Sequence, residues 1–424
     1  MNHLAPKVLS TLVLITSTHA MGDETEVSEI ITEMADTISE NYVFPDMGLQ
    51  IHEMLMTSLK SGEYDNLQRE ELAQTLEMQI RDLTHDLHFG VRPLPEGWEP
   101  PSEEDNNASI QMGPSAPFGF NSVQRLDGNI GYVELRGFVG AMHIEDTLKA
   151  TMQLLQGSNS IIFDLRQNGG GDPAAVQLIS SYLFDPSEPI HLNSLYYRPD
   201  DRTTEFWTHD RIDTSLAMPD VPVYVLTSGR TFSAAEEFTY NLKNLERATI
   251  IGETTGGGAH PVDSVFFGNQ LMVVLPIARA INPISGTNWE GTGVSPHFET
   301  RADDALDTAI FRSLEQAFKD GDESVRWGLA NYQAKNNPIT CSPEDLQAYA
   351  GDYGPRHVRI HEGGLEYRRD GNPNWTSIIC FKRDQFVIQG LDGFIMNFER
   401  DDSGTIVGIA GDYDRGGRDF SARD

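Results

Sequence analysis

Leu226-Thr-Ser-Gly-Arg-Thr-Phe-Ser-Ala-Ala-Glu-Glu-Phe238 is the stretch on which the reading of this chain turns. Just ahead of it, Val221 to Leu226 is a short apolar run rich in β-formers, the pattern of a buried strand. A turn follows. Ser233 then opens a helical pattern in which Ala234, Phe238 and Leu242 recur every four residues. A serine at a strand–turn–helix junction presents its hydroxyl at a helix N-terminus, where free backbone N–H groups stabilise an anion. That position suits a nucleophile. Ser233-Ala-Ala-Glu236 is equally a capping box, which needs no chemistry. The local pattern leaves both readings open.

Three other segments bear on the choice. Ile161-Ile-Phe-Asp-Leu-Arg-Gln-Asn-Gly-Gly-Gly171 reads as a buried strand delivered into three glycines, with a helix from Ala174 to Leu183 beyond. Glycines there mean a tight turn or a close approach. Their N–H groups suit a developing oxyanion, although a plain strand-to-helix turn looks the same. No Gly-Lys-Ser/Thr ending follows, so this is not a phosphate-binding loop. In Arg81-Asp-Leu-Thr-His-Asp-Leu-His-Phe-Gly90, the helical face Leu72, Leu76, Ile80 and Leu83 leads in and Gly90 is the expected stop. This puts His88 near a helix C-terminus, where an imidazolium complements the dipole, and His85 one turn earlier. In Asn288-Trp-Glu-Gly-Thr-Gly-Val-Ser-Pro296, glycines and a proline frame Glu290 beside an aromatic; a loop with a solvated glutamate has the same pattern.

In their order along the chain, these segments resemble the tail-specific, or C-terminal processing, serine peptidase family. The motifs are Thr84-His-Asp-Leu-His88, Asp164-Leu-Arg-Gln-Asn-Gly-Gly-Gly171, Thr231-Phe-Ser-Ala-Ala-Glu236, Ile251-Gly-Glu-Thr-Thr-Gly-Gly-Gly258 and Trp289-Glu-Gly-Thr-Gly-Val294, spread over roughly Glu26 to Asp320. One branch of the family uses a Ser–Lys dyad with a lysine after Gly-Glu. Here Thr254 follows Gly252-Glu253, no lysine lies between Thr254 and Ile284, and the nearest upstream is Lys243. The chain is more similar to the histidine-using branch of the tricorn core protease and interphotoreceptor retinoid-binding protein. The resemblance implies Ser233 as nucleophile, His88 as its base and Glu290 as the residue that orients the imidazole. It also implies an oxyanion hole from the N–H groups of Gly170 and Ala234, and no cofactor or metal. An ordinary imidazole would give an acid limb near pH 6 to 7.5, around the usual histidine value. One departure stands out. In the tricorn protease a serine precedes the histidine and bridges it to the glutamate, whereas here that position is Leu87.

Two other functions compete with a peptidase: a catalytically silent binding module of the same fold for an apolar ligand, and a crotonase-like acyl-CoA enzyme. The joint presence of Ser233, His88 and Glu290 favours the peptidase over the first. The N-terminus disfavours the second, because coenzyme A is cytoplasmic and this chain reads as exported. Lys7, the apolar stretch Val8 to Ile15 and Thr18-His-Ala20 have the layout of a signal peptide over residues 1–20, too short to span a bilayer. A periplasmic or secreted location is expected, with peptide or unfolded protein as substrate.

The formal net charge of −33 points away from nucleic acid and anionic membranes. Cys341 and Cys380 are a disulfide or two thiols; sequence leaves that open. The expected fold is α/β, a ClpP/crotonase-like core with a helical N-terminal domain and a small C-terminal antiparallel β domain. Residues 21–95 form the helical domain and 96–117, rich in proline and acid, a linker. Residues 118–335 form the peptidase core, with strands at Gly131–Leu135, Ser160–Leu165, Val221–Leu226 and Thr249–Ile251 alternating with helices, the pattern of a parallel sheet. Only about forty residues separate Gly90 from Gly131, too few for a PDZ domain. Residues 336–424 lose helical periodicity and form the small β-barrel-like domain.

Overall fold

The computed structural model describes residues 24–99, 118–209 and 212–424. The expected signal peptide and most of the expected linker lie outside these residues. Contacts divide the chain into two units. The first comprises Met1–Gln124, Tyr132–Gly157 and Ile161–Ala305, and the second Arg125–Gly131, Ser158–Ser160 and Leu306–Asp424.

In the first unit, three helices open the described chain: α1 (Glu24–Asn41), α2 (Pro45–Lys60) and α3 (Arg69–Thr84). Their apolar stripes, Ile31, Met34 and Ile38 on α1, Ile51 and Leu55 on α2, Leu72, Leu76 and Ile80 on α3, are buried together. They close over a three-stranded antiparallel sheet. Its strands are β1 (Gly90–Pro93), β10 (Leu271–Pro276) and β9 (Val262–Phe267), in that order, with Val91 opposite Val273. The helical N-terminal region therefore shares one core with strands far along the chain, among them Leu271, Val273 and Leu275. α3 stops at Thr84, earlier than the Gly90 boundary expected from its periodicity. His85 caps it in the left-handed region at φ +57°, and Asp86 takes over the backbone by accepting the His88 N–H at 3.0 Å. His88 thus lies in a turn between helix and strand rather than on a helix end.

The central sheet has six strands in the order β12 (Phe298–Glu299), β8 (Ala248–Gly252), β7 (Val223–Thr227), β4 (Ser160–Asp164), β3 (Ile130–Leu135) and β2 (Phe120–Leu126). β4, β7, β8 and β12 run parallel. Every residue of β4 and β7 is buried, which is why both read as unbroken apolar runs. Helices α4 (Ala141–Leu155), α5 (Pro173–Ser181) and α6 (Ala234–Asn244) contribute Leu148, Ile179 and Phe238 to the same core. A further sheet, β11 (Ala278–Ile281), β5 (His191–Tyr197) and β6 (Arg202–Trp207), completes the unit. Three loops leave the carboxyl ends of adjacent parallel strands: Gly169–Gly171 after β4, Ser228–Ser233 after β7 and Glu253–Gly258 after β8. Open α/β sheets build their sites at this edge.

The second unit contains α7 (Ala305–Lys319), α8 (Arg326–Asn336), α9 (Pro343–Tyr349) and an eight-stranded antiparallel sheet. Its strands follow chain order: β13 (Gly351–Tyr353), β14 (Arg356–His361), β15 (Gly364–Arg369), β16 (Thr376–Lys382), β17 (Gln385–Ile388), β18 (Phe394–Arg400), β19 (Ile406–Tyr413) and β20 (Arg418–Ala422). The Asp424 N–H donates to the Asp352 carbonyl at 3.0 Å, so the end of the chain returns to the first strand and the sheet is nearly closed. Tyr353, Phe386, Met396 and Ile409 fill it. Cys341 and Cys380 are both free thiols. No helix among the described residues is long and apolar enough to cross a membrane.

Candidate active site

Ser233 is the hinge of the β7-to-α6 turn. Its φ of +54° and ψ of −123° are unusual for a residue with a Cβ. One side chain holds it there. Glu236, fully buried, accepts the Ser233 N–H at 3.0 Å and the Gly258 N–H at 2.8 Å on Oε2. On Oε1 it accepts the Gly257 N–H at 2.7 Å and the Thr255 hydroxyl at 2.5 Å. The expected capping glutamate is thus a four-bond anchor that ties the Ser233 turn to the loop after β8. Burial raises its carboxyl above the ordinary range, with these four bonds pulling the other way.

The Ala234 N–H has no protein partner among the described residues and stands free at the helix N-terminus. Gly170 comes against it: a Cβ on Gly170 would lie 2.7 Å from the Ser233 Cβ and 3.0 Å from the Ala234 nitrogen. Its φ of +110° also requires glycine. The Gly170 N–H is already engaged, donating to Asn168 Oδ1 at 2.9 Å. Of the two expected oxyanion donors, one is open and the other is held by a buried amide that a stronger, charged acceptor would have to displace.

His88 packs its ring against Phe232, the residue before Ser233, with centroids 4.6 Å apart. Gly258 packs against both rings, where a Cβ would lie 2.4 Å from His88 Cε1 and 2.3 Å from Phe232 Cζ. Both ring nitrogens are buried and neither makes a hydrogen bond, so the imidazole is not bonded to Ser233 or Glu290 in this conformation. Burial pushes it down to about 4, the nearby Asp86 charge opposing and His260 assisting. His88 is thus held as the neutral imidazole at neutral pH. His85 is exposed on the end of α3. Lys243 donates to the Ser295 carbonyl and hydroxyl at 2.6 and 2.9 Å.

Glu290 Oε2 accepts the Ala259 N–H at 2.5 Å and lies 3.4 Å from His260 Nδ1, while Oε1 is buried without a partner. Burial pushes this carboxyl up to about 7. Trp289 beside it is buried and donates its indole N–H to the Gly258 carbonyl at 2.6 Å. Asp86, His88 and Glu290 each place one ligand atom within 4.8 Å of the others, a set with the chemistry to hold a metal ion. Two residues absent from the sequence-based candidates complete the cluster. His260 Nδ1 lies 2.7 Å from Asp86 Oδ2, and both side chains are 2% exposed. The Tyr42 hydroxyl also donates to Asp86 Oδ2, at 3.2 Å. Burial pushes Asp86 up, but the bonds from His260 and the His88 amide outweigh it and leave the carboxyl below its ordinary range. A lone aspartate and a histidine after a glycine run carry no periodic signal; Asp86 falls inside the motif Thr84–His88, whereas His260 lies just beyond Ile251–Gly258.

Residues 129–300 match the model for peptidase family S41, and residues 14–123 match the N-terminal domain of peptidase S41 in eukaryotic IRBP. Among solved structures, the chain is similar to a peptidase-like protein from Parabacteroides merdae at 21% identity, covering 69% of this chain and 98% of the other with a TM-score of 0.49. It is also similar to the photosystem II D1 C-terminal processing protease, at 16% identity over 67% of this chain and 94% of that one, TM-score 0.44. The tricorn protease matches at 14% identity over 72% of this chain and 37% of its own, TM-score 0.45.

Proposed function

Because the chain belongs to peptidase family S41, we propose that it is an exported serine endopeptidase whose site is Ser233, His88 and Glu290. The strained backbone of Ser233 carries this reading. A capping residue does not need φ +54°, and such strain persists where surrounding structure over-determines it for function. In the reaction, the Ser233 hydroxyl attacks the scissile carbonyl of an extended peptide or unfolded protein. Its proton passes to His88, which is neutral and has free ring nitrogens. The negative charge on the carbonyl oxygen falls to the Ala234 N–H and, once Asn168 yields it, the Gly170 N–H. His88 returns the proton to the leaving amine, the C–N bond breaks, and water hydrolyses the acyl-enzyme by the same steps. Glu290 stabilises the imidazolium as a nearby carboxylate rather than by a direct hydrogen bond.

The test is fluorophosphonate labelling with peptide mapping, alongside hydrolysis of casein. Label should fall on Ser233. Ser233→Ala and His88→Ala should each abolish hydrolysis, while His85→Ala should stay near wild type. A folded Ser233→Ala variant with wild-type activity would end this reading. Absence of labelling together with tight binding of an apolar ligand would favour a silent binding module.

A further inference from the structure

The substitution of Leu87 for a bridging serine leaves Glu290 and His88 without a relay between them. Leu87 is half exposed and carries no hydrogen-bonding group. The structure supplies a different connection. His260 Nδ1 faces two carboxylate oxygens at once, Asp86 Oδ2 at 2.7 Å and Glu290 Oε2 at 3.4 Å. Asp86 in turn grips the turn that carries the base, through Oδ1 and the His88 backbone N–H. The same oxygen of Glu290, Oε2, also accepts the N–H of Ala259, the residue next to His260. A single ring nitrogen therefore joins the acid that fixes the His88 backbone to the acid that faces the His88 ring.

We infer that His260 is a positioning residue of this peptidase, its Nδ1–H clamping Asp86 to Glu290 so that His88 and Glu290 keep their spacing without a relay at residue 87. This rests on the assignment of His88 as the base. Two buried carboxylates within reach of one another repel, and each costs desolvation energy that an opposing donor must offset. With the clamp gone, Asp86 and Glu290 face each other unshared, and the turn bearing His88 loses its far anchor. The groups facing His260 are Asp86 and Glu290, with Tyr42 on Asp86 and the Phe44 ring 5.3 Å from the imidazole. His88 and Glu236 act on the same cluster through their charge. Among the described residues, no lysine or arginine is bonded to these carboxylates.

The experiment compares His260→Leu, His260→Asn and His260→Gln by pH-dependent peptide hydrolysis and by the rate of fluorophosphonate labelling. Leucine removes the donor. Asparagine places an amide N–H where Nδ1 was, and glutamine places one near the Nε2 position. His260→Leu should lower kcat roughly tenfold to a hundredfold, the scale of a small misplacement of a catalytic group, with KM nearly unchanged. Its acid limb should move to higher pH, because His260 helps hold the His88 imidazole down and the freed carboxylates pull it up. His260→Asn should restore most of kcat and return the limb, whereas His260→Gln should not. If His260→Leu does not fold, asparagine against glutamine decides alone. Equal losses in both folded variants, or wild-type kcat and pH limb in His260→Leu or His260→Gln, would overturn the clamp. Should His88→Ala stay active, the base assignment fails; with His88→Ala dead and His260→Leu unaffected, only the clamp does.

Discussion

At the scale of single residues, the proposed site combines a serine on a strained backbone with a desolvated imidazole. Holding a residue with a Cβ in the Ser233 conformation costs about 1–3 kcal/mol, a cost that glycine escapes in exchange for roughly 0.5–1 kcal/mol of chain entropy. Ser233→Gly should therefore be more stable than Ser233→Ala by about 1 kcal/mol, although both are inactive. Denaturant melts of the two variants check this; equal stability would mean that the turn is relaxed. The base gives a second expectation. Its ordinary value is 6.5 and burial lowers it to about 4. An imidazole accepts a proton only when neutral, so lowering its pKa extends the active range toward acid. The acid limb of Ser233 labelling should lie below about pH 6, under the range expected for an ordinary imidazole. Glu290, pushed up to about 7, and His88 both feel Asp86 and His260, so the limbs belong to the cluster rather than to either group. The same depression has a stability sign. The unfolded chain binds the proton first, so stability associated with neutral His88 is lost as pH falls from 6.5 toward 4. A labelling limb at or above the ordinary histidine value would show that His88 is hydrated in solution or is not the base.

Among the elements, the Ser233 turn and the loop after β8 act as one piece because Glu236 joins them. Removing its carboxylate by Glu236→Ala leaves four donors unpaired, three backbone N–H groups and the Thr255 hydroxyl. Each unsatisfied buried donor costs about 1–3 kcal/mol, a large share of the roughly 5–15 kcal/mol margin of a folded protein. Glu236→Gln keeps the shape but turns an amide N–H₂ toward N–H donors that need an acceptor. Glu236→Ala should unfold or melt far below wild type. Glu236→Gln should melt lower than wild type and label more slowly, since Gly258 also walls the His88 ring. Thermal melts read with labelling rates test this, and a Glu236→Gln variant that matches wild type in both would reduce the residue to an ordinary cap.

At the scale of the whole molecule, what the sequence revealed follows from what each feature depends on. Strands β4 and β7 were legible because burial on both faces makes them continuous apolar runs, and Gly170 and Gly171 after β4 because their geometry excludes side chains. The sheets β1–β10–β9 and β11–β5–β6 were not, since each sets a local hairpin beside a strand from far along the chain, Val91 against Val273 and Ala280 against Leu195, a pairing that no local period records. The end of α3 was overrun because its apolar spacing continues past the point where Asp86 captures the backbone. Ser233, His88, Glu290, Gly170 and Ala234 came from motif order, whereas the Asp86–His260 bond became visible only in three dimensions. Charge is the property sequence states most directly, and it yields the last expectation. A formal net charge of −33 sets up a field that draws cationic chains and repels anionic ones, on a length of about 10 Å at 0.1 M salt. That field acts on encounter, not on the buried chemistry around Ser233. The kcat/KM for a lysine-rich unfolded substrate should therefore fall as salt is raised, and for an acidic substrate of equal length rise, with kcat for both little changed. Stopped-flow or initial-rate measurements across a salt series separate the two parameters. Parallel salt responses from the cationic and anionic substrates would show that the charge serves solubility alone and does not select what reaches the site.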